Sequence, residues 1–86
     1  MIYLFIEEVN YVLFNDVECR QMLKIEPFAN KESAEEYLRE EKDFYMKTYA
    51  GFTEKCSHGR TILSRPWELG KPGDRIILRV EERELR

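Results

Sequence analysis

From Asn30 to Tyr49 the chain carries sustained helical periodicity that no other stretch shows, so the rest must fold as strands and connections around one long helix. Residues three and four apart share a helical face. Ala34, Tyr37, Leu38, Tyr45 and Tyr49, flanked by Phe44 and Thr48, form an apolar stripe that should face the core. Lys31, Glu35, Arg39, Asp43 and Lys47 alternate in sign on the opposite side, and the Glu35–Arg39 and Asp43–Lys47 pairs have the favoured polarity. Beside them run Glu32, Glu36 and Glu40, like charges at four-residue spacing that cost the helix roughly a few tenths of a kcal/mol each. Asn30 is placed to cap the first turn, with Ser33 and Glu36 offering a rival capping box. Gly51 is placed to take the left-handed conformation that ends helices. Glu41 is the misfit, lying in angle between Tyr37, Leu38, Phe44 and Tyr45. Either its carboxyl is driven toward the neutral form there, or it sits at the stripe's edge bonded to a tyrosine.

The flanking segments read as strands. Ile2, Leu4 and Ile6 share one face of residues 2–8, and Tyr3 and Phe5 share the other; two apolar faces imply a central strand. Asn10 is a turn signal, followed by a short second run from Tyr11 to Phe14 that Asn15 and Asp16 stop. Cys19, Gln21, Leu23 and Ile25 then alternate with Arg20, Met22, Lys24 and Glu26, the pattern of a half-buried strand, which Pro27 should end. After the helix, all four glycines and two of the three prolines fall within 51–73, a loop-rich segment in which Arg60 to Ser64 can form a short strand. Pro72-Gly73-Asp74 leads into a last strand with Ile76, Leu78 and Val80 on one face, and the charged tail 81–86 is expected to fray or project.

These elements predict a single α+β domain over 1–86: a small, mainly antiparallel sheet in the chain order β-β-β-α-β-β, packed on one face by the single long helix. The expected core is Tyr37, Leu38, Tyr45, Leu4, Ile6, Leu23, Ile25, Ile76 and Leu78, with Leu38 nearly inaccessible.

Charge and motifs narrow the function classes. The formal charge is −3, with −6 on residues 1–43 and +3 on 44–86, so the global basic footprint of a nucleic-acid-binding domain is absent. No apolar run approaches the length of a membrane span, and the start meets acidic residues instead of a cleavage site; the expected compartment is the cytoplasm, with Cys19 and Cys56 as reduced thiols. The glycines fit neither the Walker nor the dinucleotide pattern, and no cofactor is expected. Cys56-Ser57-His58 brings a nucleophile and a base together, but residues two apart on extended chain lie roughly 6.5 Å from each other, beyond hydrogen-bond reach. Cys19, Cys56 and His58 are three ligands where structural zinc takes four, so no metal is expected.

The remaining signals concern binding. The acidic row Glu32, Glu36, Glu40 suits contact with another protein, and Arg60, Arg65 and Trp67 in the loop segment suit a second contact. A small acidic domain of this kind is expected to act without catalysis by occupying a partner's surface, for instance a basic groove that normally holds nucleic acid. Phage-encoded inhibitors of bacterial defence nucleases are one such class. Two alternatives stand beside this reading. One is a nucleic-acid or anion-binding module using Lys55, Arg60, Arg65, Trp67 and Lys71, with Trp67 otherwise serving as a structural lid. The other is a Cys56-dependent enzyme.

Overall fold

The computed structural model describes residues 1–13, 17–66, 68 and 72–84. Along the chain it places β1 (Ile2–Val12), β2 (Glu18–Phe28), α1 (Lys31–Thr48), β3 (Thr53–Ser57), β4 (Arg60–Arg65) and β5 (Gly73–Arg83). The class is α+β, with one five-stranded sheet in the spatial order β2-β1-β5-β4-β3. Every neighbouring pair is antiparallel. α1 packs on one face, against β5, β1 and β2.

The chain order is thus β-β-α-β-β-β, which corrects the expected β-β-β-α-β-β in two places. Asn10 does not turn the chain: it is buried inside one long β1, and the irregularity there is a bulge, with Val9 opposite Met22 and Asn10 opposite Arg20. The loop-rich segment contains an unexpected strand, β3, paired with β4 across the two-residue turn His58-Gly59. Both turn residues are left-handed (φ 52° and 74°), the conformation that matches the twist of a tight hairpin.

Pro27 does not end β2, which continues to Phe28; β2 is an edge strand, where a missing N–H is tolerated. Nor does the tail leave the sheet before Glu84. Glu81 to Arg83 pair with Ile2 to Leu4, and Glu81 bonds the guanidinium groups of Arg79 and Arg83. Residues 85 and 86 lie outside the described residues.

Asn30 caps α1, its Oδ1 accepting from the Ser33 N–H at 2.8 Å. Asn30→Ala is expected to cost about 1 kcal/mol, measured by urea denaturation. The helix lays Tyr37, Leu38 and Tyr45 on a core of Phe5, Leu63, Ile76 and Leu78. Tyr37 meets Phe5 edge-on at 4.9 Å between ring centroids.

The core differs from expectation in which strand faces it uses. Odd positions of β1 stand under the helix, so Phe5 and Glu7 are buried there, while Leu4 and Ile6 lie on the helix-free face. Ile6 is still buried, but on that opposite face. In β2 the apolar row faces outward: Leu23 is 46% and Ile25 51% exposed. The even row goes under α1, because Phe28 packs on Tyr37 at 5.3 Å and Lys24 reaches the Tyr37 hydroxyl at 2.5 Å. Leu38 is half-buried, not inaccessible, and Phe44 and Tyr49 are exposed, since one helix cannot roof five strands.

Candidate functional site

The side of α1 turned away from the sheet carries Glu32, Glu36 and Glu40, all exposed. Of the other carboxylates, Glu8 is matched with Arg79, Glu18 with Arg75, Glu35 with Lys31, Glu41 with Lys24, Glu54 with Lys42 and Asp74 with Arg65, while Glu26, Asp43, Glu68, Glu82 and Glu84 stand singly without a cation among the described residues. None of the three glutamates in the row has an ion-pair partner among the described residues. Four-residue spacing extends the row to Phe44, whose ring is 54% exposed while its edges rest on Tyr45 and Tyr49. The outward ridge is therefore three unmatched carboxylates ending in an exposed aromatic. Sequence reasoning found the glutamates but assigned Phe44 to the flank of the core stripe.

The second expected contact does not assemble as one surface. Arg60 and Arg65 are five residues apart on β4 and so project to opposite faces. Arg60 is exposed at the hairpin end, opposite Arg79. Arg65 is half-buried on the helix side. Its Nε donates to Asp74 at 2.8 Å, and its guanidinium lies 4.9 Å from the Phe52 ring centroid and 5.8 Å from that of Tyr49. Arg65 borders a cleft of about 760 Å³ together with Tyr11, Tyr49, Gly51, Pro66 and Asp74, but its charge there is already compensated. Trp67 and Lys71 lie outside the described residues.

Cys56 and His58 are each engaged elsewhere. The Cys56 thiol faces Glu54 at 3.9 Å, and His58 Nδ1 lies 2.8 Å from the Ser57 hydroxyl. Among the described residues no cluster of three His, Cys, Asp or Glu side chains could hold a metal, and no helix is long and apolar enough to cross a membrane.

Beneath the helix lies a group that the sequence did not single out. Glu7 is 1% exposed; one carboxyl oxygen accepts from the Tyr45 hydroxyl at 2.9 Å, and the other, Oε1, has no partner among the described residues. Burial pushes its pKa up to about 7, reinforced by the neighbouring Glu41 carboxyl and opposed by the Tyr45 donor and the Lys24 charge. Tyr45 is in turn raised above the usual phenol range, first by burial and then by Glu7. Glu41, the expected misfit, is instead the half-exposed partner of Lys24 at 3.8 Å. Glu7 is sealed from solvent by α1, which suits a structural proton store and not contact with a substrate. Its only sequence signal is that it shares a strand face with Phe5.

No family model, curated protein or solved structure matches this chain. The functional reading therefore rests on the residues themselves.

Proposed function

We propose that this chain is a small non-enzymatic binding protein whose outward helix ridge, Glu32, Glu36, Glu40 and Phe44, docks on a basic surface of another protein. The observation that carries this is the ridge itself: carboxylates left without cations, at a small cost to the helix, in line with an exposed aromatic. A basic partner relieves the repulsion and speeds encounter, while Phe44 supplies the desolvated anchor that charge alone does not. A groove that normally holds nucleic acid has this chemistry, and occupying it is inhibition. The nucleic-acid-binding alternative draws less support, because Arg65, Arg75 and Arg79 are each held by a carboxylate and Arg60 stands on a different face from Arg65. The Cys56 alternative lacks an assembled nucleophile and base among the described residues.

The test is affinity capture with the wild-type chain, followed by titration of the captured protein against variants. Replacing Glu32, Glu36 and Glu40 together with lysine is expected to weaken binding at least about tenfold and to flatten its salt dependence. Phe44→Ala is expected to cost more than about 1 kcal/mol, mainly in the off-rate and at every salt concentration. Circular dichroism should show both variants folded. Unchanged affinity in the triple reversal would reduce the ridge to a solvated face. Capture of single-stranded nucleic acid, lost in Arg65→Ala and Trp67→Ala, would install the anion-binding alternative instead.

A further inference from the structure

β2 is an edge strand of eleven residues with no neighbouring strand on its outer side among the described residues. Such an edge offers a row of backbone donors and acceptors to any strand that fits it, and folded proteins usually block it with charge, bulges or proline. Here the blocking devices sit toward the two ends. The bulge lies at Gln21 near one and Pro27 lies near the other, while the charges of Lys24 and Glu26 project from the helix side. On the helix-free side the edge shows Leu23, Ile25 and Pro27, with Leu23 and Ile25 about half exposed.

We propose that the occupant of this edge is β2 of a second copy, paired antiparallel about a two-fold axis at Ile25, so that two sheets join into one of ten strands. Closed symmetry restricts the choice. A two-fold relating antiparallel neighbours stands perpendicular to the sheet and sets one residue of β2 opposite its own copy, so each register is named by its central residue. Centring on Lys24 or Glu26 sets like charges directly opposite, which is destabilising. Centring on Leu23 drives the pairing into the bulge just beyond Met22. Centring on Ile25 uses the regular stretch from Met22 to Phe28, which the β1–β2 register shows to be free of irregularity and of which Ile25 is the midpoint.

The side-chain pairs of that register are complementary. Lys24, whose ammonium also reaches the Tyr37 hydroxyl and the Glu41 carboxylate, meets Glu26 of the partner subunit on the helix side, and by symmetry the pair occurs twice. Met22 meets Phe28 of the partner subunit on the same side. On the helix-free side Ile25 meets its own copy, flanked by Leu23 against Pro27 of the partner subunit. Pro27 withholds at most one ladder donor per copy. Ile25 already pairs with the buried Ile6 across β1, so the contact joins the two helix-free faces into one apolar strip. Both helices then lie on the same side of the ten-stranded sheet, and both acidic ridges face the same way, which makes the dimer bivalent toward a basic partner.

Sedimentation equilibrium of the wild-type chain over a concentration series reaching a few hundred micromolar tests this. The expected result is a species of twice the 10.4 kDa chain mass, with Ile25→Lys shifting the dissociation constant at least about tenfold, since it sets two lysines against each other at the axis. Ile25 is exposed, so this variant should keep the wild-type circular dichroism spectrum. A second arm uses Ile25→Cys with Cys19→Ser and Cys56→Ser, which should oxidise to a covalent dimer because directly opposed strand positions lie within disulfide reach. Glu40→Cys in the same background should not. A wild-type chain that stays monomeric throughout, or a dimer that Ile25→Lys leaves intact and Ile25→Cys fails to cross-link, overturns the proposal. Either outcome leaves the helix ridge untouched, since a monomer whose partner binding still requires Glu32, Glu36 and Glu40 retains the proposed function.

Discussion

Glu7→Gln is expected to stabilise the fold at pH 8 by about 1 to 3 kcal/mol and to stabilise it distinctly less at pH 5. The buried carboxyl prefers its proton, with a folded-state pKa of about 7 against an unfolded value near about 4.3. For an acid raised by folding, the stabilising contribution is fully present below the unfolded pKa and is lost as pH rises through the folded one. The wild-type chain should therefore lose stability between about pH 4.5 and 7, by an amount on the order of 3 kcal/mol, and then level off. Glutamine mimics the protonated acid in shape and still accepts from Tyr45.

Every packed element contributes to the environment that sets this window. α1 presents Tyr45 and Glu41, β2 presents Lys24, whose ammonium also bonds Tyr37, and β5 presents the apolar Leu78 opposite Glu7. Glu81 works in a different window: the Arg79 and Arg83 guanidinium groups beside it lower its pKa, so its contribution is lost only in acid, as pH falls below the ordinary carboxylate range. Taking the difference between wild-type and Glu7→Gln urea midpoints at each pH cancels that effect. A difference that stays flat from pH 5 to 8 would show that Glu7 keeps no proton in the folded state.

The helix and its cap were legible because a period of 3.6 maintained over five turns fixes both the element and its buried side. Asn30, Ala34 and the outward position of Glu32, Glu36 and Glu40 follow from that angle alone. The strands were legible as strands but not as faces. A period of two states which residues travel together, not which set meets the helix. In β1 and β2 that choice was made by Phe5 and Phe28 packing on Tyr37, a contact between distant residues, and it carried Glu7, Lys24 and Glu26 under the helix with them. β3 escaped because Thr53 to Ser57 has no apolar alternation, and an edge strand needs none; its signal was the His58-Gly59 turn. Asn10 was read as a turn because a bulge uses the same kind of residue. The separation of Arg60 from Arg65 was available from strand parity, once both were placed on one strand. The buried carboxyl was hidden, since nothing local distinguishes Glu7 from its half-buried neighbour Glu8.

Leu78→Ala should cost about 2 to 5 kcal/mol and Leu38→Ala distinctly less, although the same atoms are removed. Leu78 is 0% exposed between β1 and β4 and beneath α1, so the vacated space has no route to collapse. Leu38 is half-buried on a helix that does not cover the sheet's width, and neighbouring side chains and water can move in. In a domain of this size the larger loss is a substantial part of a total of about 5 to 10 kcal/mol, and partial unfolding at 37 °C is the expected phenotype. The pH dependence supplies a sharper test of the mechanism. Leu78 stands directly opposite Glu7 on the helix side of the sheet, so the cavity opens beside the buried carboxyl, where Oε1 offers an unpaired acceptor to an entering water. Hydration there favours the ionised form, which makes the penalty of Leu78→Ala smaller at pH 8 than at pH 5. Leu38→Ala, at a half-buried position that solvent already reaches, should show one penalty at both. Equal penalties for the two leucines would mean that the core is not centred on β5, and a Leu78→Ala penalty independent of pH would mean that the cavity stays dry.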